Sequence, residues 1–249
     1  MNINSIKTIG YYYAIGSMKR SAAFTALTIL SPLSILFLFY LLSGSGLSGG
    51  IIGNNLIQYA ILGGFISIVA GNCLGLMYDA AWWRIQLKIQ DLLVATQISE
   101  TDYMFGLGLS SLIYSLPGIA IYLTIAYASH IFTVYSFAIT ALVLFILSIS
   151  TTSVGFILSS IPRHMRNTWG MTGIASLLLA FIPPIFYPYT LLPKPLLYIF
   201  LISPTTSASI ILQGITGLQP MYVPAVYVLI IEVFAFVLLT KRFTKWRQD

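Results

Sequence analysis

The stretch NLIQYAILGGFISIVAGNCLGLMY, residues 55–78, contains no charged residue. A helix needs about 20 mostly apolar residues to cross the hydrocarbon core of a membrane. Because this run is long and continuous, it predicts a membrane-spanning helix. A strand of a membrane barrel would instead show a short segment of alternating apolar and polar residues.

The composition of the 249-residue chain agrees with this prediction. It has 12 Lys or Arg and 6 Asp or Glu, so that 7% of the residues are charged, while 58% are hydrophobic and the mean hydropathy is +0.91. A soluble domain has about 25% charged residues, and disordered chains combine low hydrophobicity with high net charge. Both classes are excluded. We predict an all-α polytopic membrane protein with one transmembrane domain over residues 1–249.

Five further runs have the length and apolar character of a span. The six predicted spans are residues 21–43, 55–78, 103–129, 132–159, 169–187 and 222–240. In residues 1–20, Ile3, Ile6 and Ile9 recur at helical spacing, which predicts an interfacial helix on the membrane surface. The glycine- and serine-rich residues 44–50 predict a flexible loop.

Small residues in the second predicted span indicate how it packs. Gly71 and Gly75 are spaced as a small-residue face that lets two membrane helices approach closely. Between them lies Cys73, the single cysteine of the chain. One cysteine excludes internal disulfides and a cysteine-built metal site. Its apolar surroundings predict a buried structural residue.

The positions of the charges decide the topology. Residues 189–220 contain two apolar runs that are each too short to span, which predicts a re-entrant hairpin outside the cytoplasm; the alternative joins them into a seventh span. With six spans, eleven of the twelve Lys and Arg residues lie on one side, and Lys194 is the exception. Because cytoplasmic loops are enriched in Lys and Arg, six spans with both termini in the cytoplasm are predicted. Basic residues at span ends also argue against nucleic-acid binding.

The longest polar stretch of the chain, residues 79–102, follows the second predicted span. From Arg84 its pattern is helical, because Arg84, Lys88 and Asp91 fall on one stripe and apolar residues on the neighbouring stripe. This predicts a short amphipathic helix in a cytoplasmic loop, within residues 84–98. Such a helix either lies on lipid or docks to a cytosolic partner, and the periodicity leaves both uses open.

The end of the polar stretch carries a helix-start signal. Ser99 is followed by Asp102 three residues later, which is a variant of the capping box. We therefore expect Ser99 to cap the third span.

The run KIQDLLVATQISETDY, residues 88–103, followed by Gly106, resembles the segment after the second span of ABC-2 type permeases. These permeases are the membrane subunits of ABC exporters. The step Ser203-Pro204-Thr205-Thr206 is similar to a step in the hairpin between spans five and six of that family. The resemblance extends over nearly the whole chain and implies six spans, an N-terminal interfacial helix and a re-entrant hairpin.

The resemblance also implies partners. In that family the segment carries a coupling helix that docks into an ATP-binding subunit, which points to Arg84, Lys88, Ile89, Gln90, Asp91, Leu92 and Leu93. A phosphate-binding loop needs a Gly-Lys step before a helix, and no Gly-Lys pair occurs in this sequence. ATP and Mg²⁺ are therefore expected in a separate subunit, with no cofactor in this chain. A second permease chain, identical or related, would complete the path across the plasma membrane among the membrane lipids.

Three residues are candidates for the substrate path. Glu232 is an acid in the middle of the sixth predicted span, where a charge is costly. Because of this cost, a structural role for Glu232 is favoured. The alternative is a residue of a substrate path or proton relay. Phe186 and Tyr187, beside prolines at the end of the fifth predicted span, could form an outer gate.

Two other functions compete with a permease. A membrane enzyme acting on lipids would need clustered carboxylates to hold a metal and a diphosphate, and Asp91, Glu100 and Asp102 lack the required spacing. A secondary transporter would need intramembrane ionisable groups and, usually, internal repeats. Glu232 is the one clear intramembrane charge, and no repeat is evident, so an exporter permease is the preferred prediction.

Overall fold

The structure is a computed structural model that describes residues 2–20, 22–44, 55–96 and 98–243. Within these ranges the chain forms helices and turns and contains no β-strand, which confirms the predicted all-α class. Most of the predicted loop of residues 44–50 lies outside the described residues. The α-helices are α1 (Ile3–Arg20), α2 (Ala22–Gly44), α3 (Leu56–Ile85), α4 (Ile89–Val94), α5 (Glu100–Ala128), α6 (Val134–Ser159), α7 (Met165–Ser176), α8 (Lys194–Phe200), α9 (Pro204–Ile215) and α10 (Pro224–Phe243).

Four of the described helices, α3, α5, α6 and α10, are long and apolar enough to cross a membrane. α8 and α9 would form a fifth span only if taken together, and they are bent by 117° at the break between them. α2 and α7 occupy the places of the first and fifth predicted spans, but the apolar part of α2 that can be assessed is Leu33–Ser43, and α7 has 12 residues. The helices support a multi-pass membrane protein, and the count of six spans stays a prediction.

α5 begins at the cap that the sequence predicts. The Ser99 hydroxyl accepts a hydrogen bond from the backbone N–H of Asp102, and the Asp102 carboxylate accepts one from the N–H of Ser99. Asp102 Oδ1 also accepts a hydrogen bond from the backbone N–H of Asn2, at 2.9 Å. The same carboxylate therefore starts α5 and holds the beginning of α1 beside it.

α3 lies at the centre of the bundle. Of its most apolar stretch, 78% is buried by the chain, compared with 22% for α10. It packs on α2, α5, α6, α7 and α9. α6 approaches it most closely at Gly155, where a Cβ atom would lie 2.8 Å from the backbone oxygen of Cys73. Cys73 is a buried free thiol, as predicted.

The chain leaves regular α-helix after α7. Residues Leu177–Phe181 form a π-helical turn, and Pro183 and Pro184 follow. Proline has no backbone N–H and cannot continue a helix. The helical part of the fifth predicted span therefore ends before residue 187, and backbone carbonyl groups around the prolines have no helical donors.

Side chains of α9 supply the missing donors. Thr205, Ser209 and Gln213 are spaced four residues apart, which places them on one face of α9. The Thr205 hydroxyl donates to the carbonyl oxygen of Leu179, and the Ser209 hydroxyl donates to that of Pro184 at 2.7 Å. We call these three α9 residues the donor stripe.

Gln213 makes the largest number of these contacts. Its amide nitrogen donates to the carbonyl oxygens of Pro184 at 3.0 Å and Tyr187 at 3.1 Å, and its amide oxygen accepts from the N–H of Tyr189 at 3.2 Å. One fully buried side chain thus fixes the irregular segment that follows α7.

Replacing Gln213 with Leu is expected to reduce the free energy of unfolding by about 1–3 kcal/mol, because buried carbonyl groups lose their donors. The effect is measured as a lower Tm of the purified protein in detergent. Gln86→Leu, at an exposed glutamine after α3, is the matched control and should leave Tm unchanged. Equal shifts for the two variants would contradict the role of Gln213.

Candidate functional site

The helix predicted within residues 84–98 is shorter in the structure. Arg84 lies in the last turn of α3, and the backbone then turns at Lys88, whose φ is 48°. This left-handed conformation is uncommon for a residue with a side chain, and it separates α3 from α4. α4 has only six residues. The prediction that Arg84, Lys88 and Asp91 share one continuous helical stripe is therefore wrong, because the turn at Lys88 changes the direction of the chain.

Arg84 binds the end of α6. Its guanidinium donates to the carbonyl oxygens of Ser159 at 2.8 Å, Ser160 at 3.2 Å and Pro162 at 2.8 Å. The last carbonyl groups of a helix have no donors within the helix, and a cation is favourable at this end. Arg84 therefore fastens α3 to α6, with its donors directed into the chain.

α4 has an outward and an inward apolar residue. Leu92 is 69% exposed, whereas its neighbour Leu93 packs against buried residues. In the turn before α4, Leu87 is 50% exposed and Lys88 is exposed as well. We call Leu87, Lys88 and Leu92 the outer surface of the segment.

The remaining predicted residues of α4 are only partly defined. Ile89 is half-buried. Gln90 and Asp91 belong to the helical backbone, but their side chains lie outside those that the structure describes.

The inward side of the segment rests on a cluster that joins four helices. We call this the inner cluster; its buried members are Ile9, Leu76, Ala80, Tyr103, Met104, Leu107 and Phe156, from α1, α3, α5 and α6. Leu93 and Ile98 pack against it from the segment. A displacement of α4 would therefore press on α1, α3, α5 and α6 together.

α1 is bound tightly to this end of the bundle. The ring of Tyr13 stacks on Trp83 with centroids 3.5 Å apart, and its backbone oxygen accepts a hydrogen bond from the Tyr114 hydroxyl at 2.7 Å. Burial, with a smaller contribution from Tyr12, raises the pKa of Tyr13 to about 12. Gly106 of α5 permits the close approach, since a Cβ there would meet the side chain of Ile9.

Phe186 and Tyr187 lie at the other end of α3. The ring of Phe186 is 5.5 Å from that of Phe39 and covers Gly63. The Tyr187 hydroxyl donates to the carbonyl oxygen of Ile182 at 3.0 Å. Gly63 and Arg84 are separated by about 30 Å along the helix at about 1.5 Å per residue. The structure therefore does not bring these aromatic residues near the segment 84–98.

Glu232 belongs neither to the segment 84–98 nor to the group of Phe186 and Tyr187. It lies in α10, is 7% exposed, and belongs to a helix that packs on α6 and α9. The predicted site residues thus form separate groups rather than one site.

A groove between α3 and α7 was missed by the sequence prediction. Its volume is about 700 Å³, and its lining residues are Gly75, Tyr78, Trp169, Gly170, Thr172, Gly173, Ile174, Ser176 and Leu177. No described atom lies within 4 Å of a Cβ placed on Gly71, Gly75, Gly170 or Gly173. Gly71 and Gly75 therefore do not hold another helix of the described chain. The spacing of Gly170 and Gly173 was the signal in the sequence that could have located the groove.

Arg84→Gln is expected to lower the free energy of unfolding by about 1–3 kcal/mol, because charged hydrogen bonds to the end of α6 are lost. Tm in detergent measures the change. Arg163→Gln, in the loop after α6 where the side chain is exposed, is the control and should have little effect. A Tm of Arg84→Gln equal to that of the unmodified protein would show that these bonds do not hold α3 to α6.

A comparison with protein families covers the segment 84–98, the groove between α3 and α7, and the helices α8 and α9. The chain matches the family model of the ABC-2 type transporter over residues 8–217, a range that runs from within α1 to the end of α9. A comparison with curated protein sequences gave no match. Since the matched range covers most of the chain and includes residues 84–98, the chain belongs to the ABC-2 type transporter family and is a membrane permease.

Proposed function

We propose that this permease is the membrane subunit of an ATP-driven exporter, coupled to a separate ATP-binding subunit through residues 84–98. The observation that carries the proposal is the division of this segment into two sides. Leu92 is exposed on the outer surface while Leu93, beside it, packs on the inner cluster.

This division favours docking over a helix that lies on lipid. A lipid-bound amphipathic helix would have one apolar face, and that face would enter the membrane. Here one apolar side, with Leu93 and Ile98, is already covered by protein. The outer surface is therefore a second apolar face, flanked by the charge of Lys88, and it suits a groove in a protein partner.

The contacts of the segment also suggest how motion would be transmitted. When two ATP-binding subunits close on ATP and Mg²⁺, they would displace α4 against the inner cluster. α3 and α5 would move with it, because both contribute to that cluster. Arg84 would carry the displacement to α6 through its bonds to Ser159 and Pro162.

The proposed topology has six spans with both termini in the cytoplasm of the cell, in the plasma membrane. Its support is the distribution of Lys and Arg, of which only Lys194 falls on the outer side. In this topology α1 is an interfacial helix, α4 is the cytoplasmic coupling helix, and α8 and α9 form an outer re-entrant hairpin.

We also propose that the groove between α3 and α7 faces a second permease chain and lines the substrate path. Small residues let membrane helices approach closely, and Gly75, Gly170 and Gly173 have open space in front of them. The irregular segment after α7, with Phe186 and Tyr187, would lie at the outer end of this path. Glu232 does not line the groove.

Leu92→Asp is expected to abolish co-purification of an ATP-binding subunit with the tagged permease from native membranes, and with it the ATPase activity of the preparation. The Tm of the permease alone should change little, because an exposed substitution costs at most about 0.5 kcal/mol.

Leu93→Asp is the matched comparison one residue away. It should reduce the free energy of unfolding by about 2–5 kcal/mol, because it places a carboxylate against the inner cluster. If Leu92→Asp retains both the ATP-binding subunit and its ATPase activity, the coupling proposal is wrong.

Gly173→Cys, in a chain with Cys73→Ala, is expected to form a disulfide-linked permease dimer in oxidised membranes. Non-reducing electrophoresis detects it. Leu142→Cys, on an exposed part of α6, is the control and should stay monomeric. A monomer for both variants would argue against two identical chains meeting at this groove.

A further inference from the structure

Glu232 is a buried acid without a hydrogen-bond partner. It is 7% exposed, and neither carboxylate oxygen has a partner in the described part of the chain. The hydroxyl of Ser207, on α9, lies beside the carboxyl group but outside hydrogen-bond geometry. Such a group is costly in an apolar interior unless something satisfies it.

The helices that pack on α10 also carry buried hydroxyl groups that have no hydrogen-bond partner in the described part of the chain. The hydroxyls of Thr206 and Ser207 on α9, and of Thr140 on α6, are buried and have no partner among the described residues. Most buried helical hydroxyls in this chain donate to a carbonyl one turn back, as Thr151 and Ser153 do. Of these hydroxyls, that of Ser207 lies beside the Glu232 carboxyl group, and it is available to accept or coordinate.

Among the residues that the structure describes, the two helices packed on α10 offer no charge to neutralise Glu232. α6 and α9, both fully described, contain no Lys, Arg, His, Asp or Glu, and their one titratable side chain, Tyr135, is exposed. On α10 itself, Tyr227 is exposed. The basic residues Lys241 and Arg242 begin about 14 Å farther along the helix at about 1.5 Å per residue. Lys241 acts electrostatically on Glu100 instead.

We propose that Glu232, with the hydroxyl group of Ser207, forms a binding site for one monovalent cation, a proton or a sodium ion, between α9 and α10. One carboxylate balances one positive charge, and a set of oxygen ligands suits a hard cation. The described residues contain no group of three or more His, Cys, Asp or Glu side chains for a transition metal.

The site would connect α10 to the hairpin. Ser207 lies within the same stretch of α9 as Thr205 and Ser209 of the donor stripe, which holds the irregular segment after α7. Occupancy of the site would therefore stabilise the position of α9 between that segment and α10. This inference concerns the permease alone and does not depend on the coupling to an ATP-binding subunit.

The first test measures Tm of the purified permease across pH, with sodium or with choline at equal ionic strength. The folded state would hold a cation that the unfolded chain does not, so stability should fall as pH rises in choline. Restoration by sodium at high pH identifies a sodium site, and no restoration identifies a proton site. Glu232→Gln, which is neutral at every pH, should lose the part of this dependence that Glu232 contributes and any effect of sodium. Asp79→Asn, which removes an acid near the end of α3, should keep any effect of sodium.

The second test needs no variant. Dicyclohexylcarbodiimide reacts with protonated carboxyl groups in apolar surroundings, and mass spectrometry locates the adduct. Labelling of Glu232 should decrease as pH rises, and sodium should decrease it further if the site binds sodium. The proposal is overturned if Tm of the unmodified protein ignores both pH and sodium, if Glu232→Gln keeps the full dependence, or if labelling of Glu232 is absent or insensitive to both.

Discussion

A backbone carbonyl inside an apolar bundle must find its donor within the protein, because lipid offers none. This constraint governs the region after α7, where a π-helical turn and the pair Pro183 and Pro184 interrupt the helix. The donor stripe of α9 satisfies this constraint. The Gln213 side chain makes hydrogen bonds with the backbone of Pro184, Tyr187 and Tyr189 in the irregular segment. Phe186, which lies between the bonded residues Pro184 and Tyr187, is held against Gly63 of α3 by this arrangement.

The same constraint acts at the other end of α3. There the unpaired carbonyls belong to the end of α6, and Arg84 satisfies them. α3 is thus held at one end by a guanidinium and at the other by the rings packed on Gly63, and it lies buried between them. In the proposed mechanism, α3 would carry a displacement from the segment 84–98 to the groove beside α7, where Gly75 and Gly173 have open space in front of them.

Much of the fold was predictable because it depends on local patterns. Apolar runs located α3, α5, α6 and α10, and the spacing of Ser99 and Asp102 predicted the cap of α5. The conformation of the segment 84–98 was predicted only in part. Its helical period suggested a continuous helix, whereas Lys88 adopts a left-handed turn. The period also gave no sign that Arg84 would bind α6, which lies far away in the chain.

While the residues 88–103 and 203–206 carried the family resemblance, composition and charge placement by themselves determined the membrane class and predicted the topology. They could do so because the energy of placing a residue in lipid depends mainly on the residue itself. Only the tertiary structure decided which side chains are exposed and which are paired. Leu92 is exposed while Leu93 packs on the inner cluster, and Gly75 faces open space while Gly155 does not. Neither carboxylate oxygen of Glu232 has a hydrogen-bond partner among the described residues. Each of these properties depends on contacts with residues that are distant in sequence. The pattern of residues along one helix therefore cannot predict them.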